Sequence, residues 1–117
     1  MASAAPRIPR ISPEALKAIL DEMPRIVVVD VRDPADYFSS PQTIAGAIRL
    51  PPDQCAEASQ IVPRGVRVIV FAAGPPAGTA ERCANQLRRD GYDDVSVLDD
   101  GWNGWIARDY PTMPREL

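Results

Sequence analysis

Val66-Arg67-Val68-Ile69-Val70-Phe71-Ala72-Ala73-Gly74-Pro75-Pro76-Ala77-Gly78-Thr79 is the stretch on which the fold turns. Its first six residues read as an apolar strand, and the glycines and prolines after Phe71 break that pattern into a loop. The loop opens onto a helix whose apolar stripe is Ala80, Cys83, Ala84 and Leu87, at helical spacing. A strand, a tight loop and a helix N-terminus together aim backbone N–H groups and a helix dipole at one point, where many α/β proteins bind anions. From Ala72 to Gly78, however, there is no nucleophile, acid, base or metal ligand. The segment has the layout of an active site and none of its chemistry.

Outward from this junction the chain alternates strands and helices. Residues 1–10 read as a flexible N-terminal arm and 11–117 as one domain. Ser12-Pro13-Glu14 has the order of a helix start, with Ser at the N-cap, Pro at the first helical position and an acid in the first turn. Leu16, Ile19, Leu20 and Met23 follow at helical spacing until Pro24. Ile26-Val27-Val28-Val29 is a continuous β-branched run, as in a strand covered on both faces. Beyond it come a short helix over Pro34–Phe38, a strand over Ile44–Leu50 and a second short helix from Pro51 to about Ile61, with Asp53 as its expected cap. A helix from Thr79 to Asp90 closes at Gly91, Val95–Leu98 is the last strand, and Trp102–Arg108 the last helix. This order predicts an α/β fold, a central, mostly parallel sheet of about five strands with helices on both faces.

Composition narrows the function. In 117 residues with a net charge of −3 there is no basic cluster interleaved with aromatics, which argues against nucleic-acid binding. No run of 18 apolar residues exists, so no membrane span is expected and the default location is the cytoplasm. The chain has no histidine, which removes every Ser–His or Cys–His pair and the commonest metal ligand. No metal or cofactor is expected. Two cysteines, Cys55 and Cys83, have neither metal-ligand spacing nor the density of a disulfide scaffold.

Taken in order, the segments resemble the rhodanese-like (sulfurtransferase) domain. Val28-Val29-Asp30-Val31-Arg32 followed by Tyr37 is similar to that family's "D-x-R … E-Y" strand end, and Ile44-Ala45-Gly46-Ala47-Ile48 to its "I-x-G-A-I" turn. Gly91-Tyr92, Val95, Val97-Leu98, Gly101-Trp102 and Trp105 resemble its closing "G-Y … V-x-V-L-x-G-G-W-x-x-W", with Asp100 in place of the first glycine of that pair. The similarity runs from Ile11 to Pro114. It implies an α/β sandwich whose chemistry rests on one cysteine directly after the strand matching Val66–Phe71. That thiolate takes a sulfane sulfur from thiosulfate, holds it as a persulfide and passes it to cyanide or another thiol. Here the position is Ala72. The family's loop usually carries arginine or other polar residues, whereas this one reads Ala73, Gly74, Pro75, Pro76, Ala77 and Gly78. It resembles a subgroup with proline in mid-loop and threonine at the end, as with Thr79.

Persulfide chemistry needs a sulfur that is partly thiolate at neutral pH and a cradle of donors around it. Ala72 supplies no sulfur, and Pro75 and Pro76 supply no N–H. Cys83, on the helix stripe, reads as a buried small hydrophobe that reacts slowly, and Cys55 as a peripheral thiol. Asp30 and Arg32 read as a structural ion pair beside the site, and Trp102 and Trp105 as packing residues. The resulting expectation is an inactive homologue serving as a binding or regulatory module, with a small anion or a sulfur-carrier protein as partner. The alternative is a sulfurtransferase using Cys55, Cys83 or a partner's cysteine. A phosphatase or arsenate-type enzyme also needs a loop cysteine and fails at the same residue.

Overall fold

The computed structural model describes residues 8–22, 25–75 and 78–115. The helix residues expected at Met23 and Pro24, most of the N-terminal arm (1–7), loop residues Pro76 and Ala77, and the last two residues lie outside these. In chain order the elements are β1 (Arg10–Ile11), α1 (Pro13–Asp21), β2 (Ile26–Asp30), α2 (Pro34–Ser39), β3 (Gln42–Ile44), β4 (Ile48–Arg49), a 3-10 helix (Pro52–Gln60), β5 (Arg67–Phe71), α3 (Gly78–Arg89), β6 (Val95–Leu98), α4 (Gly101–Ala107) and β7 (Thr112–Pro114).

Five strands form one parallel sheet in the order β1-β6-β5-β2-β4. Period-2 alternation along β5 divides the core between its two faces. Val68 and Val70 pack with the 3-10 helix and α3, through Ala58, Ala80, Cys83, Ala84 and Leu87. Ile69 and Phe71 face the other way, against Leu16 of α1 and Trp102 and Trp105 of α4. Burial on both faces is why β2 and β5 are almost uniformly apolar. Both tryptophans are packing residues, and the Trp105 indole Nε1 donates to the Pro111 carbonyl at 2.8 Å.

Local signals set the helix ends. The Ser12 hydroxyl accepts from the Ala15 N–H at 3.0 Å, capping α1. Gly91, at φ +98, closes α3. Its N–H donates to Arg88 and that of Tyr92 to Leu87, the paired bonds of a Schellman end.

Four expectations need correction. The stretch Ile44–Leu50 is not one strand: Gly46 takes φ +84, a left-handed turn that divides it. Ile44 is the last residue of β3, which pairs antiparallel with β7 in a separate two-stranded sheet, while Ile48 and Arg49 form β4 and join the central sheet. Asp53 does not cap the helix after it; Pro51 occupies that position, and the helix is 3-10. Pro9 and Arg10 are not part of a flexible arm, since the Pro9 carbonyl accepts from the Val97 N–H and Arg10 lies in β1. Finally, Cys55 and Cys83 are neither a peripheral nor a free buried thiol. They form a disulfide, with Cα atoms 5.5 Å apart, joining the 3-10 helix to α3. Residues 28 apart in sequence meet because both helices cover the same face of the sheet.

Candidate active site at the end of the central strand

The site is assembled where β5 runs out. The carbonyls of Ala72 and Ala73 accept from the N–H groups of Trp102 and Asn103, both at 2.8 Å, so the first turn of α4 holds the start of the loop. Gly101, at φ +55, makes this approach feasible: a Cβ there would collide with the Ala72 carbonyl and lie 2.9 Å from the Gly74 nitrogen. Asp100 precedes it at φ +61, a left-handed conformation that costs a non-glycine residue about 1 kcal/mol. Gly74 lies against the side chain of Asn103, 3.1 Å from Nδ2 to where a Cβ would stand.

Around this start lies a pocket of about 430 Å³. Ala72, Ala73, Gly74, Pro75, Gly78 and Thr79 line it, together with Asp33 and Asp36 from the α2 end, Arg82 of α3 and Asn103 of α4. The structure thus brings together six of the eight loop residues singled out in the sequence; Pro76 and Ala77 are not described. Sequence reading missed the other four lining residues. Asp33, Asp36 and Asn103 come from distant segments, and their only local signal is placement at the carboxyl ends of strands or at a helix start. Ala72 is 8 % exposed and offers the pocket a methyl group. The α3 N-terminus favours negative charge here, whereas the two carboxylates oppose it.

Beneath the pocket is a polar cluster. Asp30 and Arg32, both buried, pair side by side: Nη2 to Oδ2 at 2.7 Å and Nε to Oδ1 at 3.0 Å. Asp30 also accepts from the Arg32 N–H at 3.1 Å and the Thr43 hydroxyl at 2.9 Å. Arg49 approaches it at 3.7 Å and donates to the Arg32 carbonyl at 2.6 Å. Burial pushes the Arg49 guanidinium below its ordinary range, with Asp30 offsetting part of that. The Arg32 Nη1 makes no hydrogen bond, and its guanidinium lies 4.7 Å from the Trp102 ring centre and 5.2 Å from that of Tyr37. Because Asp30 pairs in register with Phe71 and Arg32 stacks on Trp102, the cluster braces the strand and the helix that hold the loop. Thr43 and Arg49 were not foreseen as members.

Among the described residues no group of three or more His, Cys, Asp or Glu side chains is placed to hold a metal, and no helix is long and apolar enough to cross a membrane. The family model of the rhodanese-like domain matches residues 12–108. The chain belongs to that family. This rhodanese-like domain is 29% identical over 96 residues to the thiosulfate sulfurtransferase GlpE of Tolumonas auensis, covering 82% of this chain and 86% of that protein. Its fold is similar to the rhodanese-like domain of an Anabaena protein, with a TM-score of 0.78, 28% identity, and coverage of 92% of this chain and 80% of the other. It is similar as well to a thiosulfate sulfurtransferase from Pseudomonas aeruginosa, at TM-score 0.77 and 25% identity, where 93% of this chain matches 20% of a much longer one. The parallel sheet with helices on both faces is therefore that of the rhodanese-like domains.

Proposed function

We propose that this rhodanese-like domain has lost sulfurtransferase turnover and serves as a binding or regulatory module that presents the loop pocket to a partner. The observation that carries the reading is Ala72: a methyl group stands where the resemblance places the persulfide-forming sulfur, at the end of β5 and on the pocket wall. A loop without a thiol cannot form the covalent intermediate. The two cysteines do not replace it, because neither lines the loop pocket. Of the two partners suggested by the sequence, a sulfur-carrier protein suits the pocket better than a small anion. Asp33 and Asp36 add two exposed carboxylates that a protein partner's cationic or amide groups can pair with and a small anion cannot use. A cytoplasmic location belongs to this reading, and there ambient thiols would reach the disulfide.

The test is thiocyanate production from thiosulfate and cyanide, run on oxidised and on reduced protein. The expected result is no turnover above buffer in either state. Saturable turnover that disappears in Cys55→Ala or Cys83→Ala would overturn the reading in favour of a sulfurtransferase with a relocated thiol.

A further inference from the structure

Beside the loop pocket runs a second groove, of about 400 Å³, between the 3-10 helix and α3. Both cysteines line it, as do Asp53 from one wall and Arg82, Gln86 and Arg89 from the other. Residues 82, 86 and 89 share one helix face, so the guanidiniums stand along one side of the groove. The hydrogen bonds that these arginines make run to neutral oxygens, Arg82 to the Thr79 hydroxyl at 3.4 Å and Arg89 to the Gln86 amide oxygen at 2.9 Å. Those bonds cancel neither charge; Asp53 lines the facing wall, and Arg82 also faces Asp33 and Asp36 in the loop pocket, so Arg89 is the guanidinium that belongs to this groove alone. The disulfide thus borders a groove whose α3 wall carries two guanidiniums.

We propose that Cys55–Cys83 is a thiol–disulfide exchange site, opened by a low-molecular-weight thiol of net negative charge that enters beside Arg82 and Arg89. Cys55, at 7 % exposure against 2 % for Cys83, is the sulfur attacked. The incoming thiolate bonds to Cys55 Sγ, the S–S bond breaks, and its electron pair leaves on Cys83 Sγ, which takes a proton from water. A second thiolate then attacks the sulfur of the bound thiol and releases Cys55, which is protonated in turn. Two external thiols are oxidised to one disulfide and the protein's pair is reduced by two electrons. Opening removes the covalent tie between α3 and the 3-10 helix, a helix type with poorer hydrogen bonds that is already interrupted at Gln54 (φ −114, ψ 15). Thr79 and Arg82 line both this groove and the loop pocket, so the state of the disulfide reaches the pocket through α3's first turns.

The experiment incubates the full oxidised chain with reduced glutathione or with 2-mercaptoethanol, whose thiolate carries one negative charge fewer, at equal thiolate concentration, quenches with an alkylating reagent and follows mass. Reduction is expected to be first order in thiol, with the trapped glutathione adduct mapping to Cys55. Arg82→Gln/Arg89→Gln should slow the glutathione reaction by about fivefold, and Arg89→Gln alone by about twofold, the scale of screened charges near a surface. Both variants should slow 2-mercaptoethanol less than glutathione, because its attacking thiolate carries one negative charge against two. A rate independent of thiol concentration would mean that reduction waits on unfolding and would overturn the proposal, as would equal slowing with both thiols or an adduct confined to Cys83. Hydrogen exchange should quicken over Pro52–Gln60 after reduction, and unchanged exchange there would remove the conformational part. Arg89 lies outside the loop pocket, and no sulfur substrate enters the assay, so the outcome stands apart from the turnover test above.

Discussion

The polar cluster under the sheet end and the loop above it make an instructive pair. Asp30, Arg32, Thr43 and Arg49 form a buried network in which one carboxylate accepts from a guanidinium, a backbone N–H and a hydroxyl. Next to it in the sheet register, Ala72–Pro75 is a run of small and cyclic residues whose first two carbonyls accept from N–H groups of α4. The first region supports the frame and the second would carry the reaction. Sequence change that leaves the fold intact can empty the second far more readily than the first, because a missing loop side chain leaves a solvated gap whereas a missing buried partner strands a charge.

The largest effect is expected from removing that partner. Asp30→Ala should destabilise the protein by about 3–5 kcal/mol, since it leaves the Arg32 guanidinium buried and uncompensated. Urea unfolding at pH 7 measures it, with Asp30→Asn as the milder variant should the alanine form not fold. A loss below about 1 kcal/mol for both would break the comparison, since the cluster would then be no more demanding than the loop.

The comparison also separates what was readable from what was not. The β5 strand and the α3 stripe could be read because an apolar run and a period of 3.6 residues are local properties: β5 is buried from Val68 to Phe71, and the buried residues of α3 follow its stripe. Asp30 and Arg32 could be singled out because they are two residues apart at a strand end. Thr43 could not, since its hydroxyl reaches Asp30 only after the chain turns back across 13 residues. The disulfide escaped for the same reason: neither the spacing nor the surroundings of two cysteines on separate helices reports that the helices share a sheet face. At the loop, the sequence disclosed what was missing from Ala72 but not the carboxylates of Asp33 and Asp36 that face it.

A smaller effect within the cluster should come from Thr43→Val, about 1 kcal/mol, the net worth of one hydrogen bond to a carboxylate that keeps its arginine. Equal losses for Thr43→Val and Asp30→Asn in the same urea assay would show that the hydroxyl, rather than the ion pair, dominates. Of similar size and opposite sign is Asp100→Gly, expected to stabilise by up to about 1 kcal/mol by relieving the left-handed backbone at the α4 start. A fall in the thermal midpoint would mean that the carboxylate's 3.7 Å approach to Arg108 matters more than the backbone strain.

The smallest stability change, within about 0.5 kcal/mol, is expected at Ala72→Cys, because the side chain faces a pocket with room for it. The chemical effect is the informative one. The α3 N-terminus and Arg82 favour a thiolate, Asp33 and Asp36 disfavour it, and both acids are exposed and screened. The new thiol should therefore titrate below the free-cysteine value of about 8.5. The pH dependence of alkylation reads it directly. A value at or above that of a free thiol would show that the carboxylates have turned the pocket against anions. Sulfur transfer should stay poor in either case, since Pro75 and Pro76 withhold two amides.

The outermost strands of the central sheet, β1 and β4, are two residues long each. An open sheet exposes unpaired N–H and C=O groups along its flanks, and a long flank is a template on which a second chain can add a strand. Here each flank offers two residues, too few for a neighbouring copy to align a stable register upon. The apolar β5 is flanked on both sides by other strands, and β4 covers the Val29–Asp30 end of β2. A chain whose most adhesive segments are shielded in this way can be held at high concentration with little tendency to form intermolecular sheets.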